Sequence, residues 1–372
     1  MRAYVDASRP EAFERLWGMT LLERILRQLT TAGVTCVYLR VPPGRGWRAK
    51  LRADFRAALL VMEHAPPADG QLTLVLDGAS VYDNRLISYL AGANRPLRVR
   101  GDALAEVRGG HGHEMEHIEP ARLPSYLPKL RRHQTPYLLP VRSRADLKSA
   151  ERFMFDVAYK GVTDVVTKYV YPGLVRALTR LLAPTTITPN QVTALSMLLS
   201  FGAVPLYFLG HLGLAVVMGL VMSVLDSVDG KLARLTLRES KSGNVMDHGS
   251  DFVYFALWLL GAGIATQQGA AKLLLLSVWL FDKSIVGAFL YLCKRELNDW
   301  APVDALFRLV VLRRNVFLLV LGAGLLAGQA TLAVQVLTGW AFVGVLFHAG
   351  RVLWIAATGA APAQSRWHGG QS

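Results

Sequence analysis

The hydrophobic positions divide the chain into two parts. Up to about residue 160, charged, apolar and turn residues are mixed as in a globular domain, whereas long apolar runs begin near residue 190. Several runs approach the ~20 residues that a helix needs to cross the core of a bilayer. With 372 residues, the chain is long enough for two domains. The pattern therefore predicts a membrane-spanning part preceded by a soluble part.

Helices and strands alternate in the pattern of the first part. A run of apolar residues at helical spacing ends at Gly33 and is followed by β-forming residues. Strands that alternate with helices are typical of an α/β domain with a largely parallel sheet. The predicted elements are a helix over residues 21–29, strands over residues 34–41 and 72–78, a helix over residues 84–90 and a loop over residues 109–117.

An amphipathic segment connects the two parts. From about Ala145 to Leu182, basic side chains recur among Val, Tyr and Leu, which is typical of a helix lying along a membrane surface. A plain linker between domains is the alternative interpretation. Thr188 followed by Pro189 predicts the start of a helix that enters the bilayer. The basic residues of the segment are Lys160, Lys168, Arg176 and Arg180.

Six membrane spans are predicted after this segment, near residues 190–210, 212–235, 247–268, 272–293, 316–334 and 336–357. The segments that follow the second and fourth spans are basic, whereas the opposite turns contain little beyond His211 and Lys272. Because cytoplasmic loops are enriched in Lys and Arg, both termini and the two basic segments are expected in the cytoplasm. The N-terminus lacks the apolar stretch of a signal peptide, which supports this orientation.

The net charge of the chain indicates which classes of partner it can bind. Lys and Arg number 41 against 27 Asp and Glu, so the formal net charge is +14. In a membrane protein this excess favours anionic lipid headgroups or anionic substrates, and no basic run interleaved with aromatics indicates nucleic acid. Cys36 and Cys293 lie in different parts without metal-ligand spacing, so neither a disulfide nor a zinc site is expected.

Four acidic residues lie in the second and third predicted spans, where ionisable side chains are costly and usually functional. Asp226 and Asp229 are three residues apart on one helix. Asp247 and Asp251 are four apart on the next, so each pair shares a helical face. If the two helices pack side by side, four carboxylates converge and repel one another. Hard divalent cations such as Mg²⁺ or Mn²⁺ would resolve this repulsion, so the spacing predicts a metal site.

Small residues and one arginine accompany the acids. Gly230 and Ala233 leave the neighbouring helix face without bulky side chains, so that a nucleotide could approach the backbone. Arg234 would direct a planar guanidinium toward a phosphate. Gly243, at the start of the next span, again permits close approach. These residues predict a nucleotide-binding surface beside the carboxylates.

Together these residues form a motif that resembles, position for position, the signature of the CDP-alcohol phosphotransferases. The resemblance extends over about residues 160–360. It implies that the first three acids hold two divalent ions that grip the donor pyrophosphate. It also implies that Asp251 is the general base for the acceptor hydroxyl and touches metal, while the small residues and the arginine seat the CDP moiety. The motif is Asp226-x-x-Asp229-Gly230-x-x-Ala233-Arg234, eight residues, then Gly243-x-x-x-Asp247-x-x-x-Asp251.

The resemblance implies a membrane transferase. It would move a phospho-alcohol or phosphatidyl group from a CDP-linked donor to an acceptor hydroxyl, releasing CMP, in phospholipid or inositol-phosphate lipid biosynthesis. The implied partners are this donor, an alcohol or lipid acceptor, membrane lipids and a second copy of the chain in a homodimer of the inner membrane. A cation transporter is the alternative, although an ion pathway gives no reason for the spacing of the small residues and the arginine.

Other polar residues carry weaker signals. Arg313 and Arg314 resemble a basic pair that some family members place at an acceptor-phosphate pocket, and positive-inside topology is the equal alternative. Asp282 and Lys283 lie within the fourth span, where mutual charge compensation is favoured over a role in an acceptor pocket. The loop over residues 109–117 is interpreted as a solvated loop rather than a metal site. Its polar residues are His111, His113, Glu114, Glu116 and His117.

The first part resembles sugar-nucleotidyltransferases in its helix opening at Met19–Arg24 and in its strand ending at Asp77. Such domains are fused to this membrane domain in bifunctional inositol-phosphate cytidylyltransferase and di-inositol-phosphate synthase proteins. The glycine-rich phosphate loop of that family is missing here, since residues 1–18 contain only Gly18. The first part is therefore expected to be a degenerate, non-catalytic domain that docks partners or regulates the membrane part. A bifunctional enzyme that also makes the CDP-alcohol is the alternative.

The expected organisation is thus an α-helical polytopic membrane domain preceded by a soluble α/β nucleotidyltransferase-like domain. The predicted boundaries are residues 1–145 for the soluble domain, 146–186 for the linker and interfacial helix, and 187–360 for the membrane domain.

Overall fold

The structure is a computed structural model that describes most of the chain. The described residues are 1–43, 46–49, 60–62, 70–109, 114–127, 130–239 and 241–362; among them, the side chains of residues 48, 49, 60–62 and 241–250 are outside the description.

Strands occur only in the first part of the described chain. In chain order they are β1 (Arg2–Asp6), β2 (Arg15–Leu16), β3 (Met19–Thr20), β4 (Cys36–Arg40), β5 (Leu60–Met62), β6 (Thr73–Asp77), β7 (Ser80–Tyr82), β8 (Leu97–Val99), β9 (Ala105–Arg108), β10 (Glu116–Ile118), β11 (Tyr126–Leu127), β12 (Arg132–His133) and β13 (Leu138–Pro140).

Helices occur in both parts and dominate the second. The α-helices are α1 (Leu21–Thr31), α2 (Gly46–Ala49), α3 (Asn84–Ala91), α4 (Arg144–Val157), α5 (Pro172–Leu182), α6 (Pro189–Phe208), α7 (Leu212–Leu235), α8 (Lys241–Thr266), α9 (Ala271–Cys293), α10 (Pro302–Val310), α11 (Arg314–Leu326) and α12 (Ala330–Thr358).

A seven-stranded sheet organises the first part, in the order β10-β8-β9-β6-β1-β4-β5. Every neighbouring pair is parallel except the two that β9 forms with β6 and β8. The predicted α/β class with a largely parallel sheet is therefore confirmed. The predicted loop over residues 109–117 is wrong at its end, because Glu116–Ile118 adds an edge strand to β8 and buries Ile118.

Helix α1 starts where the sequence predicts. The Glu23 backbone N–H donates to Thr20 Oγ1 at 3.1 Å, and the Thr20 N–H donates to the Glu23 carboxylate at 2.8 Å, which forms a capping box. Past the end of the helix, Gly33 has φ +81°, a left-handed conformation that glycine adopts without strain. These two signals fix both ends of α1.

The connecting segment is not the continuous amphipathic helix that was predicted from about Ala145 to Leu182. It consists of α4, a π-helical turn at Val166–Val170 and α5, and the stretch between α4 and the turn bonds to the first part through Gly161 N–H and Leu130 O at 2.8 Å. Two of its basic residues form exposed ion pairs with acids of α4. Arg176 bonds Asp156 at 2.9 Å and Arg180 bonds Glu151 at 2.7 Å.

The second part spans a membrane. Among the described residues, five stretches are long and apolar enough to cross a bilayer. The described apolar stretch of α8, Asp251–Thr266, is shorter. The predicted turn near residue 335 is wrong, because Gly328 at φ +68° ends α11 and a 29-residue α12 follows. The five stretches are Pro189–Phe208, Leu212–Leu235, Ala271–Cys293, Pro302–Leu326 and Ala330–Thr358.

The two parts share one hydrophobic core. Side chains from the β2–β3 hairpin and α1 pack with those of α4, α5, α6 and α7. The hairpin turn, Trp17–Gly18, has two positive φ angles and lies against the end of α5, so a Cβ on Gly18 would fall 2.1 Å from the Ala183 carbonyl oxygen. The shared residues are Leu16, Trp17, Leu21, Val81, Val141, Ala150, Met154, Phe155, Ala158, Val166, Tyr171, Val175, Ala183, Val192, Val228, Leu232 and Leu235.

We expect Gly18→Ala to lower the midpoint of thermal unfolding in detergent clearly more than Gly33→Ala does. Both glycines have similar positive φ, but Gly33 has nothing within 4 Å of a built Cβ. Gly33→Ala should cost only the left-handed backbone energy of about 1–2 kcal/mol, whereas Gly18→Ala must also separate the hairpin from α5. Equal shifts for the two variants would contradict this packing of the two parts.

Candidate active site

Acidic residues of α7 and α8 meet at one guanidinium. Arg314, the first residue of α11, donates from Nη2 to Asp226 Oδ2 at 2.6 Å and from Nη1 to Asp251 Oδ1 at 3.1 Å. Asp226 belongs to α7 and Asp251 to α8, so the carboxylates of the two helices converge on the same cation. Asp226 and Asp251 therefore converge as predicted, bridged by Arg314, while α7 and α8 each pack mainly against α6.

Asp229 lies one helical turn beyond Asp226, on the side of α6. It is 7% exposed, and its Oδ2 accepts a hydrogen bond from Thr193 Oγ1 at 2.6 Å. Thr193 is buried on α6 four residues after Pro189, the first residue of the helix. The sequence around Thr188 and Pro189 predicted only the start of a helix, so the contact between Thr193 and Asp229 was not predicted.

Tyr254 completes the surroundings of Asp251. Its hydroxyl donates to Asp251 Oδ1 at 2.5 Å and accepts a hydrogen bond from Arg314. Tyr254 follows Asp251 by three residues, so both side chains lie on one face of α8. The three-residue spacing could have indicated a contact between Tyr254 and Asp251, but this contact was not predicted.

Gly243 and Asp247 belong to the first turns of α8. The structure describes their helical backbone, and their side chains lie outside the described residues. Within the described part of the chain, no three His, Cys, Asp or Glu side chains are grouped closely enough to hold a metal ion. The oxygen-rich donors that are described, Asp226, Asp229 and Asp251, are the type of ligand that Mg²⁺ and Mn²⁺ prefer.

Three of the predicted nucleotide-binding residues, Gly230, Ala233 and Arg234, lie on the last turns of α7. The Arg234 guanidinium folds over Gly230, where an added Cβ would lie 3.2 Å from Nη2. Arg234 Nε donates to the Ala158 carbonyl at the end of α4 at 3.0 Å. Gly230 thus provides the space that the arginine occupies, and Ala233, of intermediate burial, adds no bulk beside it.

A buried lysine accompanies this surface. Lys231 is 4% exposed, and its ammonium lies 3.6 Å from the centroid of the Tyr159 ring. The ammonium also donates to the Ser227 carbonyl at 3.3 Å. A cation–π contact and a carbonyl therefore hold a second cation on the acid-bearing helix. The sequence analysis did not assign Lys231 a role.

The two adjacent arginines at the start of α11 have different partners. Arg314 bonds the carboxylates, whereas Arg313 interacts electrostatically with Asp164 and lies near the cations Arg131 and Arg308. Arg131 and Arg308 both approach Glu296, Arg308 at 3.8 Å. The cluster formed by Arg131, Arg308 and Arg313 is called the basic cluster below.

Asp164 connects the basic cluster to a buried polar network. Its Oδ1 accepts hydrogen bonds from the Thr167 N–H at 2.9 Å and from Asn315 Nδ2 at 3.0 Å. Burial alone would raise the pKa of Asp164, but Arg313 and these hydrogen bonds outweigh it and hold the pKa below the ordinary value. Asp164 is therefore a fixed anion beside Arg313.

The predicted compensation between Asp282 and Lys283 is confirmed. Lys283 Nζ bonds Asp282 Oδ2 at 2.8 Å, and Asp282 Oδ1 is 2.6 Å from His348 Nδ1 on α12. His111 and His113 lie outside the described residues, whereas His117 is exposed and Glu116 pairs with Arg95 at 2.7 Å.

The acids at the carboxyl edge of the sheet bond within the first part. Asp77, at the end of β6, accepts from Arg9, from Ser80 Oγ at 2.8 Å and from the Ala79 N–H at 3.0 Å. Asp6, at the end of β1, accepts from Ser8 Oγ at 2.6 Å.

Comparison with known proteins is consistent with this geometry. Residues 186–358 match the family model for CDP-alcohol phosphatidyltransferase. Cholinephosphotransferase 1 of Gallus gallus is 32% identical over 168 residues, which cover 42% of this chain and 47% of the relative. The bifunctional IPC transferase and DIPP synthase of Aquifex aeolicus (strain VF5) is 30% identical over 128 residues, covering 32% of this chain and 29% of the relative.

A protein of the latter name from Thermococcus kodakarensis (strain ATCC BAA-918 / JCM 12380 / KOD1) is 35% identical over 103 residues, covering 27% of this chain and 23% of the relative. The chain thus spans less than half the length of these relatives. The family uses divalent metals, a CDP-alcohol donor and an alcohol or lipid acceptor. The chain is a multi-pass membrane protein that carries, at residues 186–358, a domain of the CDP-alcohol phosphatidyltransferase family.

Proposed function

We propose that the chain is a membrane transferase that moves a phospho-alcohol or phosphatidyl group from a CDP-linked donor to an acceptor hydroxyl and releases CMP. The observation that carries the proposal is the convergence of Asp226 and Asp251 on Arg314, with Asp229 one turn away. This arrangement lies within the residues that match the family. A role in phospholipid or inositol-phosphate lipid synthesis follows from the names of the relatives.

The carboxylates fit two divalent ions, Mg²⁺ or Mn²⁺. Asp226, Asp229, Asp247 and Asp251 would hold them, because each offers hard oxygen ligands from one of two facing helices. Bound metal would neutralise charge on the donor pyrophosphate and on the departing CMP. In the structure, Arg314 supplies the positive charge between Asp226 and Asp251.

Asp251 serves as the general base. In the transfer step, the acceptor oxygen attacks the alcohol-bearing phosphorus, the bond from that phosphorus to the CMP oxygen breaks, and Asp251 receives the hydroxyl proton. Tyr254 and Arg314 bond Asp251 Oδ1 and so orient the carboxylate. The second oxygen, Oδ2, is the atom to which the proton would pass.

Gly230, Ala233, Arg234 and Gly243 are proposed to seat the CDP moiety. Arg234 bonds a backbone carbonyl through Nε. The guanidinium lies over Gly230, and its planar fork suits a phosphate bound beside that residue.

The acceptor is proposed to carry a phosphate, held by Arg313. Arg131, Arg308 and Arg313 carry three positive charges against the two carboxylates of Glu296 and Asp164 beside them, so a further anion would complete the compensation. Arg314 is assigned to the carboxylates instead, although the sequence analysis grouped it with Arg313.

The first part is proposed to be non-catalytic. Asp6 and Asp77 are occupied by Ser8, Ser80 and Arg9 at the sheet edge where a nucleotidyltransferase would bind metal and triphosphate. The proposed boundaries are 1–145, 146–186 and 187–360. The proposed location is the inner membrane, with both termini and the active site on the cytoplasmic side, as a homodimer.

The primary test measures CMP release by the purified chain in detergent with Mg²⁺ or Mn²⁺. Donors would be CDP-diacylglycerol, CDP-inositol, CDP-glycerol and CDP-choline, each with pooled acceptors. We expect Asp229→Asn and Asp251→Asn to reduce release by at least ~10³-fold, as loss of a metal ligand or base does. The matched control is Asp146→Asn, since Asp146 lies in the first turn of α4 and an Asn oxygen still accepts from the Arg142 N–H and the Ser143 hydroxyl.

Equal CMP release by the Asp251→Asn variant and the wild type would reject the role of Asp251. Cation flux through reconstituted vesicles without CMP release from any donor would favour the transporter alternative instead.

Replacing Arg314 should change metal binding and turnover in opposite directions. Arg314→Met removes the cation between Asp226 and Asp251, so Mn²⁺ should bind more tightly, by on the order of tenfold or more. Turnover should fall because Asp251 loses its orienting contact. Mn²⁺ binding is measured by electron paramagnetic resonance, and Arg351→Met, which breaks a pair with Asp304, is the control. Weaker Mn²⁺ binding by Arg314→Met would argue against metal at these carboxylates.

Arg313→Gln should raise the KM of a phosphate-bearing acceptor by roughly tenfold, the loss expected for one charge-assisted hydrogen bond. The KM of the CDP-linked donor should change little, because Arg313 faces Asp164 rather than the α7 surface. Initial rates with varied acceptor and donor distinguish the two constants. An unchanged acceptor KM, or a wild-type preference for neutral acceptors, would remove the phosphate from this proposal.

A further inference from the structure

The end of α7 is held by the first part of the chain. The last carbonyls of a helix have no partner within the helix, so they need other donors. Leu232 O accepts from the Thr236 N–H at 2.9 Å and Ala233 O accepts from the Arg238 N–H at 2.8 Å, with Leu237 left-handed at φ +53°. Arg234 O accepts from the Leu237 N–H at 3.4 Å, and the two carbonyls after it, of Leu235 and Thr236, are reached by arginines of α1.

Arg24 and Arg27 of α1 make these contacts. Arg24 Nη2 donates to the Leu235 carbonyl, and Arg27 Nη1 donates to the Thr236 carbonyl at 3.3 Å. The two arginines are three residues apart, so they lie on one face of α1. A positive charge at this position also complements the negative end of the α7 dipole.

Arg24 is a buried cation, so its charge needs a compensating partner. Its side chain is 2% exposed, and its Nε has no hydrogen-bond partner among the described residues. Burial lowers the pKa of Arg24 to about 10. A buried guanidinium is costly unless something compensates it. Within the described chain, the compensating group is the carbonyl end of α7.

Both ends of this connection are rigid. The Thr20–Glu23 capping box fixes the start of α1 immediately before Arg24. On the other side, Val228, Leu232 and Leu235 bury one face of α7 in the core shared with the first part. Leu235 is six residues beyond Asp229, a distance of about 9 Å along the helix axis. A shift of the helix end would therefore reach the acid-bearing turns.

We propose that Arg24 is a positioning residue for the transfer reaction, through which the first part of the chain fixes the acid-bearing turns of α7 relative to Asp251. The first part then acts as a clamp that holds the end of α7 in place, which would be the function of a non-catalytic domain. The kinetic part of this proposal rests on the proposed transferase function, whereas the structural part does not.

The test compares hydrogen exchange of residues 229–238 in the full-length protein in detergent. In Arg24→Met, exchange in this segment should rise by roughly tenfold, because the last turn of α7 loses its cap. Arg24→Lys retains a cation and should restore part of the protection. The matched control is Gln28→Met: Gln28 is buried on the same helix, but it bonds Tyr82 O at 2.7 Å and Asn84 Oδ1 at 2.6 Å within the first part. This control should leave exchange of residues 229–238 unchanged.

Kinetics add a second measurement. If CMP release is found, Arg24→Met should lower kcat by about tenfold with little change in donor KM, because displaced acids affect the transition state more than ground-state binding. Arg24→Lys should recover part of kcat, and Gln28→Met should retain wild-type kcat. If no donor is turned over by the wild type, the transferase proposal fails while the exchange experiment still tests the clamp.

Unchanged exchange of residues 229–238 in Arg24→Met overturns the proposal, as does an equal rise in Gln28→Met. If Arg24→Met does not accumulate, Arg27→Met and Arg24→Lys are compared with the wild type. Each should raise exchange in this segment by a smaller factor, and wild-type exchange in both would overturn the proposal.

Discussion

The balance of charge around the α7 and α8 carboxylates is the constraint on which the site depends. Like charges brought together at the edge of a membrane repel strongly, and burial would favour their protonation. The structure meets this constraint with Arg314 between Asp226 and Asp251 and with the Thr193 hydroxyl on Asp229. Divalent ions bound to the same oxygens would meet it more fully, and they would bring a donor pyrophosphate to the same place.

The same constraint explains why the two parts of the chain are joined by a core rather than by a free linker. The acid-bearing helix must hold its position against repulsion from its neighbour, and α7 is packed on one face by the β2–β3 hairpin, α4 and α5. Tyr126 bonds Asp299, and Arg131 bonds Glu296, so the first part also contacts the segment before α10. These contacts connect the first part to two separate segments of the membrane domain.

Short-range sequence patterns predicted the features that depend on residues close together in the chain, such as helix starts and membrane spans. The three-residue spacing placed Asp226 and Asp229 on successive turns of α7, and apolar length predicted the spans apart from the boundary between the last two. The Thr188–Pro189 pair located the start of α6 to the residue, and Thr188 makes the predicted cap, with Gln191 as its partner. The signature motif added the chemistry, because its spacing is too specific for packing alone.

What the sequence could not predict depends on contacts between distant segments. Thr193 meets Asp229 only because α6 packs on α7, and Arg314 meets two acids that precede it by 63 and 88 residues. Strand β10 forms because β8 offers an open edge, although its own sequence is polar. The segment from Ala145 to Leu182 breaks into helices because its middle bonds the first part, which no periodicity reveals.

The two neighbouring arginines illustrate how local geometry divides one sequence feature between two tasks. Arg313 is the N-cap of α11 with an extended backbone, at φ −135° and ψ 170°, whereas Arg314 is the first helical residue. The change of backbone conformation between them turns their side chains toward different groups. Arg314 bonds Asp226 and Asp251, whereas Asp164 is the acid with the strongest electrostatic interaction with Arg313. In the proposed reaction, one short segment would therefore link the general base to the acceptor phosphate, so that the attacking hydroxyl is held between them.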